Sequence, residues 1–275
     1  MIVITGATSG IGAAAARLLA FRGFELGIVA RDAGRGQRFC EQLRSTGASG
    51  QIHLFVADLS RMGEVRQLVD RIQASFGRLD VLVNNAGVDV GRRETTEEGH
   101  ELTFAINYLA PFLLTTRLLG LLRESAPARV VNVVSSGHRG GRIDFEDLEH
   151  ERHFSGQRAY NDSKLALVLF TYELARRLRG SGVTANCVDP GFVKHTNIGR
   201  TLPWPYQLVG TLLTPFMAQP EKAAEAIVQA VSASELGEVS GAYLKGGRRI
   251  RSSKQSYEVE LARRLWDRTE ELLAA

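Results

Sequence analysis

The chain has 275 residues, 44% of them hydrophobic and 23% charged, with a formal net charge of +4. That balance places it among globular proteins with a sizeable core, and the small positive excess permits an anionic ligand without requiring nucleic acid or a membrane surface. Two cysteines, Cys40 and Cys187, stand far apart in apolar stretches without metal-ligand spacing, as buried thiols in a reducing compartment would. No uninterrupted run of about 18 apolar residues occurs, and the chain opens directly on "MIVITG", so neither a membrane span nor a signal peptide is expected and the location reads as cytoplasmic.

Short β-branched runs alternate with longer segments of helical period. The first strand, 2–5, leads into a helix over 10–22. A strand at 26–30 is followed by a helix at 33–46, and a strand at 51–57 by a helix at 61–76. Strands at 79–84 and 128–135 bracket a helix over 98–124, and a helix over 157–179 precedes a strand at 183–188. The segment 189–218 breaks the rhythm with four prolines and several large apolar residues, which suits a substrate-binding loop. A helix at 220–234 and a strand at 241–245 follow. Near-continuous apolar strands separated by helices predict one α/β domain over 1–275. Its Rossmann-type, doubly wound parallel sheet has about seven strands, flanked by helices on both faces, with the ligand crevice at the carboxyl ends of the strands.

The turn after the first strand reads "TGATSGIG", with Gly6, Ser9, Gly10, Ile11 and Gly12 opening the first helix. Glycines there let the backbone approach a pyrophosphate, and the helix start supplies free N–H groups. The second strand ends "VARD", placing Arg31 where a dinucleotide presents its adenine ribose. An arginine fork suits a 2′-phosphate, so NADP(H) is the expected cofactor, with Ser9 and Arg35 as helpers. Asp32 supports the other reading, NAD(H) held by a carboxylate on the ribose hydroxyl.

The stretch "YNDSK" sets Tyr160 and Lys164 one helical turn apart. A free phenol has a pKa near 10, and lowering it by about three units takes roughly 4 kcal/mol. A neighbouring ammonium and a positively charged nicotinamide are expected to supply much of that, making Tyr160 a proton donor to a carbonyl or acceptor from an alcohol.

Taken together, "TGATSGIG", "ADLS" (57–60), "NNAG" (84–87), Asn107 in "FAINYL", the serines after "VVNVV", "YNDSK" and "DPGFVKHT" (189–196) resemble the short-chain dehydrogenase/reductase family in content and order. Within it, "GGRIDFEDLEHERHFSG" and the segments after Tyr160 are most similar to retinol dehydrogenase-like members. The resemblance implies a catalytic set of Asn107, Ser135, Tyr160 and Lys164. The serine polarises the substrate oxygen, Lys164 also holds the nicotinamide ribose, and Asn107 relays protons to Lys164 through water. It further implies Asp58 and Leu59 beside the adenine, and Asn85, Ala86 and Gly87 beneath its ribose. Pro190, Gly191 and Val193 would hold the nicotinamide, with Thr196 on its carboxamide or the phosphates. Ser136, adjacent to Ser135, is the alternative serine, since only one of the two can face the substrate.

The implied activity is interconversion of a carbonyl and an alcohol on an apolar small molecule, retinoid-, steroid- or lipid-aldehyde-like, with Phe192, Leu202, Trp204, Tyr206 and Phe216 near the site. A dinucleotide-binding sensor or scaffold is the alternative from another class. The six histidines lack the paired spacing of a metal site, with His150 and His153 read as an exposed loop pair. The run "KGGRRIRSSK" reads as a solvated loop after the last strand rather than a nucleic-acid patch. The amphipathic tail 257–275 is expected to cover the core or a homo-oligomer interface.

Overall fold

The computed structural model describes residues 1–191 and 220–274. Val193, Thr196 and the apolar residues Phe192, Leu202, Trp204, Tyr206 and Phe216 lie outside the described residues.

The alternation of elements is borne out. The chain runs β1 (Ile2–Thr5), α1 (Gly10–Phe21), β2 (Leu26–Ala30), α2 (Ala33–Ser45), β3 (Ile52–Val56), α3 (Met62–Ser75) and β4 (Val81–Asn84). It continues through α4 (Leu102–Phe104), a π-helical turn (Ala105–Leu109), α5 (Ala110–Glu124), β5 (Ala128–Val133), α6 (Gly156–Arg177) and β6 (Val183–Asp189). After residue 219 come α7 (Pro220–Ser232), β7 (Tyr243–Lys245), β8 (Arg248–Ile250) and α8 (Val259–Ala274).

One sheet of eight strands has the order β3-β2-β1-β4-β5-β6-β7-β8. Seven strands are parallel, and β8 pairs antiparallel with β7. The count thus exceeds the expected seven by one: part of the basic run read as a solvated loop folds back as the edge strand. Strand order reverses between β1 and β4, and such a switch point opens a crevice beyond the strands' carboxyl ends.

Strands buried on both faces read as continuous apolar runs, and β1, β2 and β4 are buried at every position. One core lies between the sheet and α3, α5, α6 and α8; a second lies under α1, α2 and α7. Among the described residues, the helical stretch Leu102–Glu124 is apolar enough and, at 23 residues, long enough to cross a membrane. It is instead packed inside the first core, with 78% of its apolar window buried.

Helical structure begins at Leu102, four residues later than expected, because the Glu101 carboxylate caps the Thr103 and Phe104 amides at 2.9 and 2.7 Å. The tail 259–274 covers α6: Trp266 stacks on Phe170 and meets Phe112 edge-on. His150 is not part of an exposed pair. It is buried, with Nε2 3.3 Å from Asp162, while His153 is exposed.

Candidate active site

The functional candidates converge at the carboxyl ends of the strands. At the end of β1, Gly6 and Gly10 adopt φ of +65° and +53°, open to glycine at little strain. A side chain at Gly12 would overlap the Asn85 amide and the Gly6 carbonyl, so helix α1 starts close against the end of β4. The Ser9 side chain does not cap the first turn of α1, and that turn carries no acidic residue. Its amides and positive dipole therefore point into the crevice beside Gly6, Ser9, Gly10 and Ile11, an arrangement that fits a pyrophosphate.

At the end of β2, Arg31 is exposed, whereas Asp32 caps α2 by accepting the Arg35 N–H at 2.6 Å. At the end of β3, Asp58 accepts from the Ser60 N–H and hydroxyl, a tight turn that puts Leu59 against the core. The β4 end is locked to β1 by Thr5, a residue the sequence reading did not single out. Its hydroxyl oxygen accepts the Asn85 and Ala86 N–H groups, both at 3.0 Å. Asn85 Nδ2 in turn donates to the Thr5 and Gly6 carbonyls.

Asn107 sits in the π-helical turn, a rare element frequent at functional sites. Its side chain bonds both Ser163 and the segment after Gly87. Oδ1 accepts the Val88 N–H at 2.8 Å, and Nδ2 donates to the Val88 carbonyl and to Ser163 Oγ. The amide thus clamps the strand that leaves Gly87. Ser163 Oγ, between Tyr160 and Lys164 in neither role, donates to the Tyr160 carbonyl at 2.7 Å.

Lys164 is buried, with Nζ donating to the Val133 carbonyl at 3.2 Å and lying 5.7 Å from the Tyr160 ring centre. A Cβ on Gly87 would come within 3.3 Å of Asn107 Oδ1 and 3.4 Å of Lys164 Nζ, so these groups share one corner of the crevice. A Cβ on Gly137 would come within 3.4 Å of the Tyr160 ring and 3.5 Å of Ser135 Oγ, so the serine hydroxyl stands beside the phenol, whose pKa it pulls down. Ser136, one residue on, turns away and donates to Asp189 at 2.5 Å. The two serines face different partners because the backbone at Ser135 is extended, with φ −145° and ψ 152°.

The protein's own groups set the starting electrostatics, before any nicotinamide is bound. From the protein's own groups, burial pushes the Tyr160 phenol up to about 12, against the pull of the Ser135 hydrogen bond. The charges of Asp89 and Asp189 raise it further. Burial pushes Lys164 down to about 8. Desolvation opposes charge on both groups, so Tyr160 is held protonated near neutral pH. Such a phenol is a donor by default.

A family model described as short chain dehydrogenase matches residues 1–204. Retinol dehydrogenase 12 of Mus musculus is 39% identical over 273 residues, spanning 99% of this chain and 86% of the relative. Human retinol dehydrogenase 13 is 37% identical over 271 residues, spanning 96% of this chain and 82% of the relative. Among solved structures, a short chain dehydrogenase from Burkholderia cenocepacia J2315 in complex with NADP superposes with a TM-score of 0.70 at 26% identity. That match covers 89% of this chain and 94% of the other. The chain belongs to the short-chain dehydrogenase/reductase family and is similar within it to the retinol dehydrogenases. It is therefore an oxidoreductase acting between CH–OH and C=O with a nicotinamide dinucleotide, and the reading as a binding-only scaffold is set aside.

Proposed function

We propose that the chain interconverts an apolar carbonyl compound, retinoid-, steroid- or lipid-aldehyde-like, and its alcohol, with NADP(H) as the preferred dinucleotide. The observation that carries this reading is the buried Tyr160 phenol beside the Ser135 hydroxyl, with Lys164 one turn along α6 and Gly87 next to it.

In this reading the β1–α1 turn holds the pyrophosphate, Asp58 and Leu59 border the adenine, and Asn85 to Gly87 lie beneath its ribose. Pro190 and Gly191 take the nicotinamide side; Val193 and Thr196 keep their assignment from sequence alone. Bound there, the dinucleotide supplies the hydride. Ser135 orients the substrate oxygen, Tyr160 gives its proton to that oxygen in reduction, and Lys164 holds a positive charge behind the phenol. Asn107 acts by holding Val88, which sets the floor of the crevice.

The preference for NADP(H) is supported by Asp32, whose carboxylate already caps α2, and by Arg31, exposed at the end of β2. The neighbouring Burkholderia structure, a complex with NADP, fits the same reading. The substrate class follows the names of the relatives and the apolar content of 189–218. The two buried free cysteines suit a reducing, cytoplasmic setting.

Two variants test this. Tyr160→Phe should lower kcat for a panel of apolar aldehydes by about 10³-fold while NADPH binding, read by fluorescence, stays near wild type. A variant that kept most of its rate would refute the proton-donor role. Arg31→Ala should weaken NADPH by about tenfold or more, some 1.4 kcal/mol, and NADH much less. Equal losses would remove the case for the 2′-phosphate.

A further inference from the structure

Directly behind the Ser135–Tyr160 contact lies a second cluster that the reaction scheme does not use. Asp189, the last residue of β6, is only 2% exposed, yet it is a carboxylate. A buried charge persists only where several donors replace its hydration. Four do so here. Ser136 Oγ donates to Oδ2 at 2.5 Å, the Tyr243 hydroxyl donates to Oδ2 at 2.8 Å, the Gly191 N–H donates to Oδ1 at 2.9 Å, and Lys245 Nζ stands 3.2 Å away. Lys245 also donates to Ser136 Oγ at 2.8 Å. Burial alone would raise the Asp189 carboxyl, but these bonds hold it below its usual range, so it is ionised.

The Ser136 hydroxyl has one proton, and that proton points at Asp189, while its lone pairs face Lys245. It has none to offer a substrate oxygen. The three side chains come from the ends of β5, β6 and β7, and they tie together two walls of the site. One wall is the turn Ser135–Gly137, whose first hydroxyl meets Tyr160. The other is the Pro190–Gly191 turn, which the Gly191 bond to Asp189 closes at its start.

We propose that Ser136, Asp189 and Lys245 form a positioning triad that fixes the Ser135 hydroxyl and the Pro190–Gly191 turn relative to each other. The inference rests on the assignment of Ser135 to the substrate oxygen and of Pro190–Gly191 to the nicotinamide side. An ion pair with a purely structural role would stabilise the sheet edge without affecting how the reacting groups line up.

The experiment compares Ser136→Ala, Ser136→Thr, Asp189→Asn and Ser135→Ala in steady-state carbonyl reduction with NADPH, alongside NADPH fluorescence titration and thermal melting. A small misplacement of reacting groups lowers turnover more than affinity, so Ser136→Ala should lose about tenfold in kcat with KM within about twofold. Ser136→Thr, which keeps the hydroxyl, should recover most of that loss, and Asp189→Asn should resemble Ser136→Ala. Ser135→Ala, lacking the group that touches the substrate, should lose about 10²-fold or more. NADPH affinity should fall about threefold in Ser136→Ala and stay unchanged in Ser135→Ala, because only the former loosens the Gly191 turn.

Wild-type kcat in Ser136→Ala, a Ser136→Thr variant no better than Ser136→Ala, or a loss in Ser136→Ala larger than in Ser135→Ala would each overturn the triad. If no carbonyl in the panel were turned over, the proposed substrate class would fail, and the NADPH titration would still decide the triad: weaker binding in Ser136→Ala upholds it and unchanged binding overturns it. Should Asp189→Asn fail to fold, Ser136→Ala and its threonine rescue carry the test alone.

Discussion

Lys164 donates a hydrogen bond to a backbone carbonyl and is buried in the corner where Gly87 and Asn107 meet. Burial disfavours its charge, and the pKa near 8 means that the ammonium is largely present at neutral pH and lost above it. Because kcat/KM reports groups of the free enzyme, kcat/KM for NADPH in carbonyl reduction should be level from about pH 6 to 7.5 and fall above about pH 8. A profile without that limb between pH 7 and 9 would show that the charge on Lys164 is not needed. The Tyr160–Lys164 pair was legible because a four-residue spacing on a helix needs no knowledge of the rest of the chain. Asp189, Ser136 and Lys245 were not legible as partners, although all three lie in quoted stretches. Their meeting depends on the parallel register of β6 and β7, where Asp189 pairs with Lys245, and on the direction in which the chain leaves β5. The same holds for Asn107, whose identity pointed to the site but whose bond to Val88 depends on a π-helical turn.

At the scale of elements, that turn is set up by Glu101. This residue is fully buried and holds two amides at the head of α4, immediately before the turn carrying Asn107. Losing a side-chain cap typically removes about 1 kcal/mol, with an upper range near 2 kcal/mol. Glu101→Ala should therefore lower the urea midpoint with an unchanged m-value and lower kcat in parallel, since Asn107 and Val88 shift with the cap. A variant with full activity and full stability would separate the cap from the site. Sequence pattern placed this helix but not its start, because "EEGHEL" is as compatible with a first turn as "LTFAIN". The π-helical register has no side-chain signature of its own. The strand β8 was missed for a related reason: three residues, two of them arginines, present no β pattern.

At the scale of the molecule, the helix that carries Tyr160 and Lys164 is held from outside by the C-terminal helix. Trp266 lies against Phe170 with ring centres 5.5 Å apart and against Phe112 at 4.9 Å, and Arg177 covers its ring at 4.1 Å. The Tyr108 hydroxyl, next to Asn107, shares a 2.7 Å hydrogen bond with Thr269 of the same C-terminal helix. Trp266→Ala should cost about 3–5 kcal/mol, seen as a large fall in melting temperature, because a cavity would open between α5, α6 and α8. A loss below about 1 kcal/mol would mean that the tail is a detachable cover, against the range for buried aromatics. The doubly wound architecture was readable end to end, since apolar strands alternating with helices admit few other packings. Which face the tail covers was not, because an amphipathic stripe specifies only that something apolar lies under it.

The β7–β8 hairpin has a consequence for the life of the protein in a crowded solution. A parallel sheet that stopped at β7 would end in a row of unsatisfied amides and carbonyls, an invitation for another polypeptide to add itself and for growth to continue. Here the chain doubles back for only three residues and sets the exposed Arg248 and Arg249 along that margin. Any would-be recruit with the same fringe meets repulsion before it meets backbone, so the margin resists fibril-like accretion while the carboxyl end of the sheet stays open.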